Sequence, residues 1–181
     1  MIITLVRHGE VDAKFKGRYN GHNNISLSLH GKNQAKILGK QLQTMNFDKI
    51  YCSDLKRATQ TLQEFHLSTT TIFTDRIREK SWGIHEGKSF QEIEAMGIKY
   101  KNFTQWIKAL DGEDSGVYKE KIKRYFYDVI AKDEAENILV VTHGGVISTL
   151  LSIVKNISLE EAFSQTPEYT SLTKLDIILN D

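Results

Sequence analysis

The sequence predicts an α/β fold: a three-layer α/β/α sandwich with a mostly parallel central sheet and a small helical cap over the carboxyl edge. Two apolar, β-branched runs, "MIITLV" at residues 1–6 and "ILVVT" at 138–142, are typical of strands buried on both faces. Helical patterns alternate with the candidate strands, which favours helices packed on both faces of one sheet. A shift in composition across residues 81–116 indicates the cap.

In the first half of the chain, strand and helix patterns alternate. Apolar residues at spacings of three and four predict one helix across 35–45 and another across 55–65. Ser28 and Ser53 stand before these patterns as candidate N-caps. The weaker candidate strands are "KIYCS" at 49–53 and "TTTIFT" at 69–74.

The second half of the chain contains the cap and then returns to the sheet. Ser89 and Glu92 have the spacing of a capping box and predict a short helix. The stretch "DGEDSG" reads as a loop before a helix from about 117 to 131. The last two elements are an apolar helix, "VISTLLSIV" at 146–154, and a final strand in "SLTKLDIIL" at 171–179.

Composition and charge narrow the class of protein. A chain of 181 residues with 40% hydrophobic residues can build one core, so we expect a single domain over residues 1–181 with the cap excursion at about 81–116. The net charge of +1 gives no global attraction for nucleic acid or a membrane surface. The single cysteine, Cys52, excludes an intrachain disulfide and is interpreted as a small buried hydrophobe. No apolar run approaches the roughly 20 residues of a membrane span.

From these properties we expect a cytoplasmic protein, monomeric or homodimeric, with no nucleic-acid or membrane partner. Any preference for an anionic ligand must then be local.

Three polar clusters directly follow candidate strands: "VRHGE" at 6–10, "SDLKRATQT" at 53–61 and "VTHGG" at 141–145. The carboxyl ends of parallel strands share one edge of the sheet, where such folds bind ligands. We therefore expect four side chains to converge there, namely Arg7, His8, Arg57 and His143.

The residue types in these clusters favour a bound phosphoryl group. Two arginines can hold its oxygens with bidentate hydrogen bonds, and Arg57 would lie in the first turn of its helix, where free N–H groups attract anions. The glycines of the clusters allow close approach of the backbone; they are Gly9, Gly144 and Gly145. A metal site on His8 and His143 is the rival interpretation, but two adjacent arginines argue against a second cation.

The blocks "LVRHGE" at 5–10, "SDLKRATQT", "IREKSWGIHEG" at 77–87 and "VTHGG" together resemble the signature blocks of the histidine phosphatase (phosphoglycerate mutase-like) superfamily. They occur in the family's order and span nearly the whole chain. No cofactor or metal is expected, because the arginines supply the positive charge that a divalent ion would otherwise provide. The resemblance implies a phosphomonoesterase that acts through a phosphohistidine. It implies that His8 is the nucleophile and that Glu79 protonates the leaving oxygen and later activates water. The implied phosphate ligands are Arg7, Arg57 and His143, with Gly144 beside them.

Some positions depart from the family pattern or leave alternatives open. Many members carry an asparagine six residues after the nucleophile, where this chain has Lys14; Lys14 or Asn20 is expected to bind the phosphate instead. Glu10 and Glu113 are alternatives to Glu79 as the acid. The basic residues around Glu79 would stabilise its carboxylate if their side chains pointed the same way.

Several functions fit these blocks. The stretch "GRYNGHNNISLSLHGKNQAK" at 17–36 resembles the α-ribazole phosphatase subgroup, which implies a small phosphorylated metabolite, for instance α-ribazole 5′-phosphate. A cofactor-dependent phosphoglycerate mutase would have a longer excursion and an arginine after the acid, where this chain has Lys80. Phosphatases for another sugar phosphate, a nucleotide or a phosphoprotein share the blocks, and a non-catalytic binding protein is least compatible with them. Substrate choice is expected to depend on Lys14, His22, Trp82 and Lys88, with His85 and Trp106 as further aromatic candidates.

Overall fold

The computed structural model describes residues 1–176, which form a five-stranded sheet with helices on both faces. The strands are β1 (Ile2–Arg7), β2 (Lys49–Ser53), β3 (Thr71–Thr74), β4 (Asn137–Thr142) and β5 (Leu172–Asp176). Their order is β3–β2–β4–β1–β5, and only β5 runs antiparallel to its neighbour. The mostly parallel sheet is therefore confirmed. The end of the predicted strand at 171–179 lies outside the described residues.

Seven α-helices accompany the sheet within residues 1–176. They are α1 (Leu29–Leu42), α2 (Lys56–Gln63), α3 (Phe90–Ala95), α4 (Phe103–Ala109), α5 (Ser115–Arg124), α6 (Gly144–Val154) and α7 (Leu159–Ser164). A π-helical turn at Tyr125–Val129 and a 3₁₀ turn at Ile130–Lys132 follow α5. None of the helices in this range combines the length and apolar character that a membrane crossing needs.

Two apolar clusters make the sheet the middle layer of three. On β1, Ile3 and Leu5 point into a cluster with residues of α5 and α6, whereas Val6 points into a second cluster with residues of α1 and α2. All three side chains are fully buried, and each such burial contributes about 1.5–3 kcal/mol. This burial on both faces explains why β1 is apolar without alternation, as the sequence indicated. Cys52 belongs to the second cluster and is buried, as predicted.

The first residue of a helix is set by its capping side chain more than by the first residue of its apolar pattern. Ser28 caps α1 through its Oγ, which accepts from the Gly31 N–H at 2.9 Å. Ser53 does not cap α2, because it still belongs to β2 and the helix begins three residues later without a side-chain cap. The Asp114 side chain caps α5, so that helix starts at residue 115 and not 117.

The cap is formed by α3, α4 and the loops around them. The predicted capping box is present, since Ser89 and Glu92 exchange side-chain and backbone hydrogen bonds. The cap has an apolar cluster of its own, whose buried members are Tyr19, Trp82, Ile93 and Leu110. The helices α4 and α7 were not predicted.

Candidate active site

A cavity of about 190 Å³ opens at the carboxyl edge of the sheet. Its lining combines residues at or after the ends of β1, β2 and β3 with residues of the cap, of α7 and of the segment after α7. The lining residues are Arg7, His8, Val11, Arg18, Tyr19, Asn20, Arg57, Glu79, Trp82, Phe163 and Tyr169. The topology thus brings Arg7, His8, Arg57 and Glu79 to one cavity, although they are far apart in sequence.

His8 directly follows β1, and hydrogen bonds fix both its backbone and its ring. Its N–H donates to the Thr142 carbonyl at 2.9 Å, and its Nδ1 lies 2.8 Å from the Gly9 carbonyl oxygen. Because a carbonyl oxygen only accepts, Nδ1 carries the proton and Nε2 keeps its lone pair. Burial, followed by the charges of Arg57 and Arg7, holds the pKa of His8 well below its ordinary value of 6.5. The ring is therefore neutral at physiological pH.

The turn after His8 depends on two glycines in backbone contact. A Cβ on Gly9 would lie 2.5 Å from the Gly31 carbonyl oxygen, and a Cβ on Gly31 would lie 2.1 Å from the Glu10 carbonyl oxygen. The Gly9 N–H donates to Thr61 Oγ1 at 3.0 Å. The helices α1 and α2 therefore both hold the His8 turn in place.

Arg7 is oriented by the segment between α7 and β5. Its Nη1 donates to the Pro167 carbonyl at 2.6 Å, and its guanidinium carbon lies 4.1 Å from the centre of the Tyr169 ring. Stacking of this kind holds a guanidinium by a cation–π interaction. Its buried Nε has no hydrogen-bond partner among residues 1–176.

Arg57 is 1% exposed, and its guanidinium is held mainly by backbone oxygens. Nη1 donates to the Asn23 carbonyl at 3.0 Å, and Nη2 donates to the Gly21 carbonyl at 2.6 Å. Burial lowers the pKa of Arg57 to about 10, which still leaves it charged at neutral pH. It therefore provides a fixed positive charge beside His8.

His143 lies behind His8, with the two ring centres 5.2 Å apart, and does not line the cavity. Its Nδ1 accepts from Arg57 Nε at 3.2 Å, and its Nε2 lies 2.8 Å from Ser53 Oγ. Because Nδ1 accepts, the neutral ring carries its proton on Nε2 and donates to Ser53. Burial first, and then the nearby cations, lower its pKa well below 6.5. The sequence therefore placed His143 in the right cluster, but in this arrangement both its nitrogens bind protein groups.

Gly144 follows His143 at the start of α6 and packs tightly. A Cβ there would lie 2.8 Å from Thr166 Cγ2 and 3.3 Å from Arg7 Nε. The glycine thus lets Arg7 approach α6, and it does not itself line the cavity.

Glu79 lines the cavity and is held by backbone donors. Its Oε2 accepts from the Gly145 N–H at 3.0 Å, and its Oε1 accepts from the Lys80 N–H at 3.1 Å. A Cβ on Gly145 would lie 1.9 Å from Oε1, so only glycine leaves room for this carboxylate. Each oxygen keeps a second lone pair, which can take a proton.

Two basic neighbours of Glu79, Arg78 and Lys80, bind other groups. Arg78 pairs with Asp54, its Nε donating at 2.7 Å. Lys80 is buried, donates from Nζ to the Ser81 carbonyl at 3.1 Å and lies 4.3 Å from the Trp82 ring centre.

The two alternative acids have other partners. Glu10 binds Lys16 at 2.6 Å and Ser28 at 3.1 Å. Glu113 binds the Lys121 ammonium and accepts from the Ser81 N–H. Among residues 1–176, Glu79 is the carboxylate that lines the cavity.

Of the two candidates for the missing asparagine ligand, only one reaches the cavity. Asn20 lines it, with its Nδ2 donating to the Phe15 carbonyl at 2.6 Å. Lys14 is exposed, and its Nζ lies 5.1 Å from the centre of the Phe15 ring, beside a separate depression. The prediction of Lys14 as a phosphate ligand or specificity residue is therefore not supported by its position.

Among the predicted specificity residues, Trp82 lines the cavity and the others do not. The His22 ring lies beside Glu113, with Nε2 3.8 Å from the nearer carboxylate oxygen. The backbone of Lys88 is held in a turn, where its carbonyl accepts from the Tyr19 N–H at 2.9 Å. His85 accepts from the Asp111 N–H through Nδ1, and Trp106 donates to the Tyr19 hydroxyl at 2.7 Å. The last two therefore pack the cap.

Sequence reasoning missed five side chains of the lining: Val11, Arg18, Tyr19, Phe163 and Tyr169. Tyr169 follows the only proline of the chain, and its contact with Arg7 joins segments that no local pattern connects. Arg18 and Tyr19 lie within the stretch at 17–36 that was singled out for Asn20 and His22.

The chain is similar to known proteins in both sequence and fold. The sequence pattern of the histidine phosphatase superfamily (branch 1) matches residues 3–180. The chain is 30% identical over 159 residues to the adenosylcobalamin/alpha-ribazole phosphatase of Salmonella typhimurium, covering 84% of this chain and 78% of that protein. It is 30% identical over 149 residues to phosphoserine phosphatase 1 of Hydrogenobacter thermophilus, covering 78% of this chain and 70% of that protein. In fold it is similar to the alpha-ribazole phosphatase from Shigella flexneri, with a TM-score of 0.86, 24% identity and coverage of 99% and 92%.

Proposed function

The chain belongs to the histidine phosphatase superfamily, branch 1, and is a phosphatase; from that premise we propose that it hydrolyses a small phosphate monoester through a phosphohistidine on His8. One observation carries the proposal: a neutral histidine with a free Nε2 lines a cavity together with one carboxylate and three arginines, of which Arg7 and Arg57 flank the histidine. Nucleophilic attack on phosphorus needs that lone pair, and burial keeps it unprotonated.

In the first step, His8 Nε2 attacks phosphorus and the bond from phosphorus to the ester oxygen breaks. Arg7 and Arg57 stabilise the negative charge on the other phosphoryl oxygens, because fixed cations that need no reorganisation favour this transition state. Glu79 gives its proton to the departing oxygen, so that the product leaves as an alcohol.

In the second step, the Glu79 carboxylate takes a proton from water, and that water attacks the phosphohistidine. The bond from phosphorus to Nε2 breaks, inorganic phosphate forms, and His8 returns to its neutral state. The Gly9 carbonyl keeps the Nδ1 proton in place through both steps, which fixes Nε2 as the reacting atom.

The size and lining of the cavity support a small substrate. Its volume of about 190 Å³ is below the roughly 300–1,000 Å³ of pockets that bury a whole drug-sized ligand. The phosphoryl group and the first atoms of the ester fit inside, and a larger leaving group extends to the mouth near Arg18 and Trp82.

We propose α-ribazole 5′-phosphate as the first candidate substrate. A relative named as an adenosylcobalamin/alpha-ribazole phosphatase supports it, and so do the aromatic side chains of the lining, which can stack on a planar leaving group. O-Phosphoserine is the second candidate, supported by the small cavity and by a relative named as a phosphoserine phosphatase. Hydrolysis is favoured over a mutase reaction, since Lys80 follows Glu79 and its Nζ binds the Ser81 carbonyl.

A trapping experiment tests the phosphohistidine. The protein is mixed with ³²P-labelled ester and quenched in alkali, which preserves phosphohistidine and destroys acyl phosphates. We expect label on wild type and on His30→Ala, a control at an exposed position of α1, and none on His8→Ala. Label retained by His8→Ala would refute the mechanism.

A separate measurement of kcat/KM on wild type, with α-ribazole 5′-phosphate, phosphoserine and 3-phosphoglycerate, ranks the candidate substrates.

A further inference from the structure

The carboxylate of Glu86, which has no role in the mechanism above, accepts hydrogen bonds from four backbone N–H groups. Its Oε1 accepts from the His22 N–H at 2.8 Å and the Trp82 N–H at 2.9 Å. Its Oε2 accepts from the Gly21 N–H at 2.9 Å and the Asn23 N–H at 3.4 Å. One carboxylate therefore holds the loop at 20–23 and the segment that follows Glu79.

The same loop binds Arg57 on its other side. In the peptide unit between residues 20 and 21, the N–H points to Glu86 and the Asn20 carbonyl accepts from Arg57 Nη2 at 3.4 Å. In the next unit, the His22 N–H points to Glu86 and the Gly21 carbonyl accepts from Arg57 Nη2 at 2.6 Å. Two consecutive peptide units thus lie between an anion and a cation, with each dipole aligned to both.

We propose that Glu86 is a positioning residue for the phosphate site, acting on Arg57 through these two peptide units. Its charge polarises the units and so strengthens the carbonyl acceptors that orient the guanidinium. The proposal rests on the proposed function, because it takes Arg57 as a phosphate ligand.

This indirect contact has a chemical advantage over a direct ion pair. A carboxylate touching Arg57 would occupy two of its N–H groups, which a phosphoryl group needs. Here Arg57 Nη1 uses one N–H for the Asn23 carbonyl, and within the described residues its second N–H has no other protein partner. Arg57 is therefore oriented by an anion without losing that donor to it.

Close packing fixes the distance between the two charged groups. A Cβ on Gly21 would lie 2.2 Å from the Lys80 carbonyl oxygen and 2.4 Å from Glu86 Oε1. The loop thus lies directly against the segment 80–86, and a change in the Glu86 side chain passes to Arg57 through the backbone between them.

The first test measures binding of inorganic phosphate by titration calorimetry at fixed ionic strength. Glu86→Gln keeps the size of the side chain but removes the charge and one acceptor, so we expect the dissociation constant to rise about tenfold or more. Asp48→Asn is the matched control. Asp48 is likewise a carboxylate that accepts backbone N–H groups, in its case two, but it lies at the opposite edge of the sheet. It should stay within about twofold of wild type; an equal loss in both variants would overturn the proposal.

A double-mutant cycle separates positioning from general support of the fold. In an Arg57→Lys background, which lacks the planar guanidinium, Glu86→Gln should cost much less phosphate affinity than in wild type. Equal losses in the two backgrounds would contradict action through Arg57. Glu86→Asp keeps the charge, so it should lose less than Glu86→Gln, and equal losses would also overturn the proposal.

These readouts keep the two proposals apart. A wild type that binds phosphate but hydrolyses no ester refutes the proposed function, and the cycle still decides the role of Glu86. A wild type that does not bind phosphate refutes the phosphate site and the role of Glu86 with it. The ¹⁵N signal of Arg57 Nε–H in the free protein gives a further readout, and we expect faster exchange with solvent in Glu86→Gln.

Discussion

His8 and His143 are both buried and neutral, yet their partners prepare them for different tasks. His8 donates a hydrogen bond from Nδ1 to the Gly9 carbonyl and keeps Nε2 free, whereas His143 accepts from Arg57 through Nδ1 and donates to Ser53 through Nε2. The sequence predicted which residues converge, because each follows a strand that ends at the same edge. It could not predict the tautomers or the contact of Tyr169 with Arg7, since these depend on neighbours distant in sequence.

At the same scale, Glu79→Gln tests the acid. An amide cannot deliver a proton, so esters with poor leaving groups should lose most of the roughly 10²–10⁴-fold that general acid catalysis provides. A p-nitrophenyl ester should lose clearly less, because nitrophenolate departs unaided. The measurement is kcat/KM on an alkyl and a p-nitrophenyl phosphate.

Glu10→Gln and Glu113→Gln are the controls for that comparison, since neither carboxylate lines the cavity. If one of these variants, and not Glu79→Gln, loses activity selectively on the alkyl ester, the residue changed in that variant is the general acid.

The helix α1 acts on the site through the backbone of Gly31, whereas α2 contributes the side chains of Arg57 and Thr61. The Gly9 turn is locked between the Gly31 carbonyl of α1 and the Thr61 hydroxyl of α2. Apolar spacing predicted both helices, but it could not show that Gly31 must lack a side chain, because that requirement arises from a chain crossing. Ser53 was wrongly taken as a cap for a related reason: its hydroxyl binds His143, a partner 90 residues away.

Gly31→Ala tests this crossing. The added methyl would meet the Glu10 carbonyl oxygen at 2.1 Å, a backbone atom that cannot move alone. We expect a loss of about 1–3 kcal/mol in the free energy of unfolding, as for other overpacked sites. Activity should fall with it, because the His8 turn must shift. Denaturant unfolding and kcat/KM are the measurements.

Gly116→Ala is the control, since its nearest neighbour is the end of the Asp114 side chain at 3.1 Å. If Gly31→Ala and Gly116→Ala give the same stability and the same kcat/KM, the contact between Gly31 and the turn after His8 tolerates a side chain.

At the scale of the whole molecule, burial of the neutral His8 and His143 rings makes the stability of the protein depend on pH. The pKa values of His8 and His143 are lowered well below 6.5 by burial and by nearby cations. Below pH 6.5 the unfolded chain therefore binds more protons than the folded protein, so stability falls as pH falls. The paired carboxylates, such as Asp54 and Glu10, also have lowered pKa values, and their contribution is lost only at more acidic pH.

We therefore expect the free energy of unfolding to fall as the pH is lowered from about 7 to 5. The slope is shallow near pH 7 and approaches about 1.4 kcal/mol for each pH unit and each histidine that stays neutral once the pH is well below 6.5. Urea unfolding at several pH values measures it. His8→Gln should show a smaller slope than wild type, while His30→Ala should match wild type. A wild-type stability that does not change over this range would contradict the neutral state of the two rings.

The strand order has a consequence for how the protein is made. The strand that ends at His8 spans residues 2–7, but its two neighbours in the sheet are residues 137–142 and 172–176. On a ribosome, β1 leaves the exit tunnel long before β4 and β5 have been synthesised. Until then its apolar side chains have no neighbouring strand to pack beside. A chain in that condition is a target for chaperones and for aggregation. His8 is thus synthesised early and positioned late, so a nascent chain stalled before residue 137 should lack phosphatase activity.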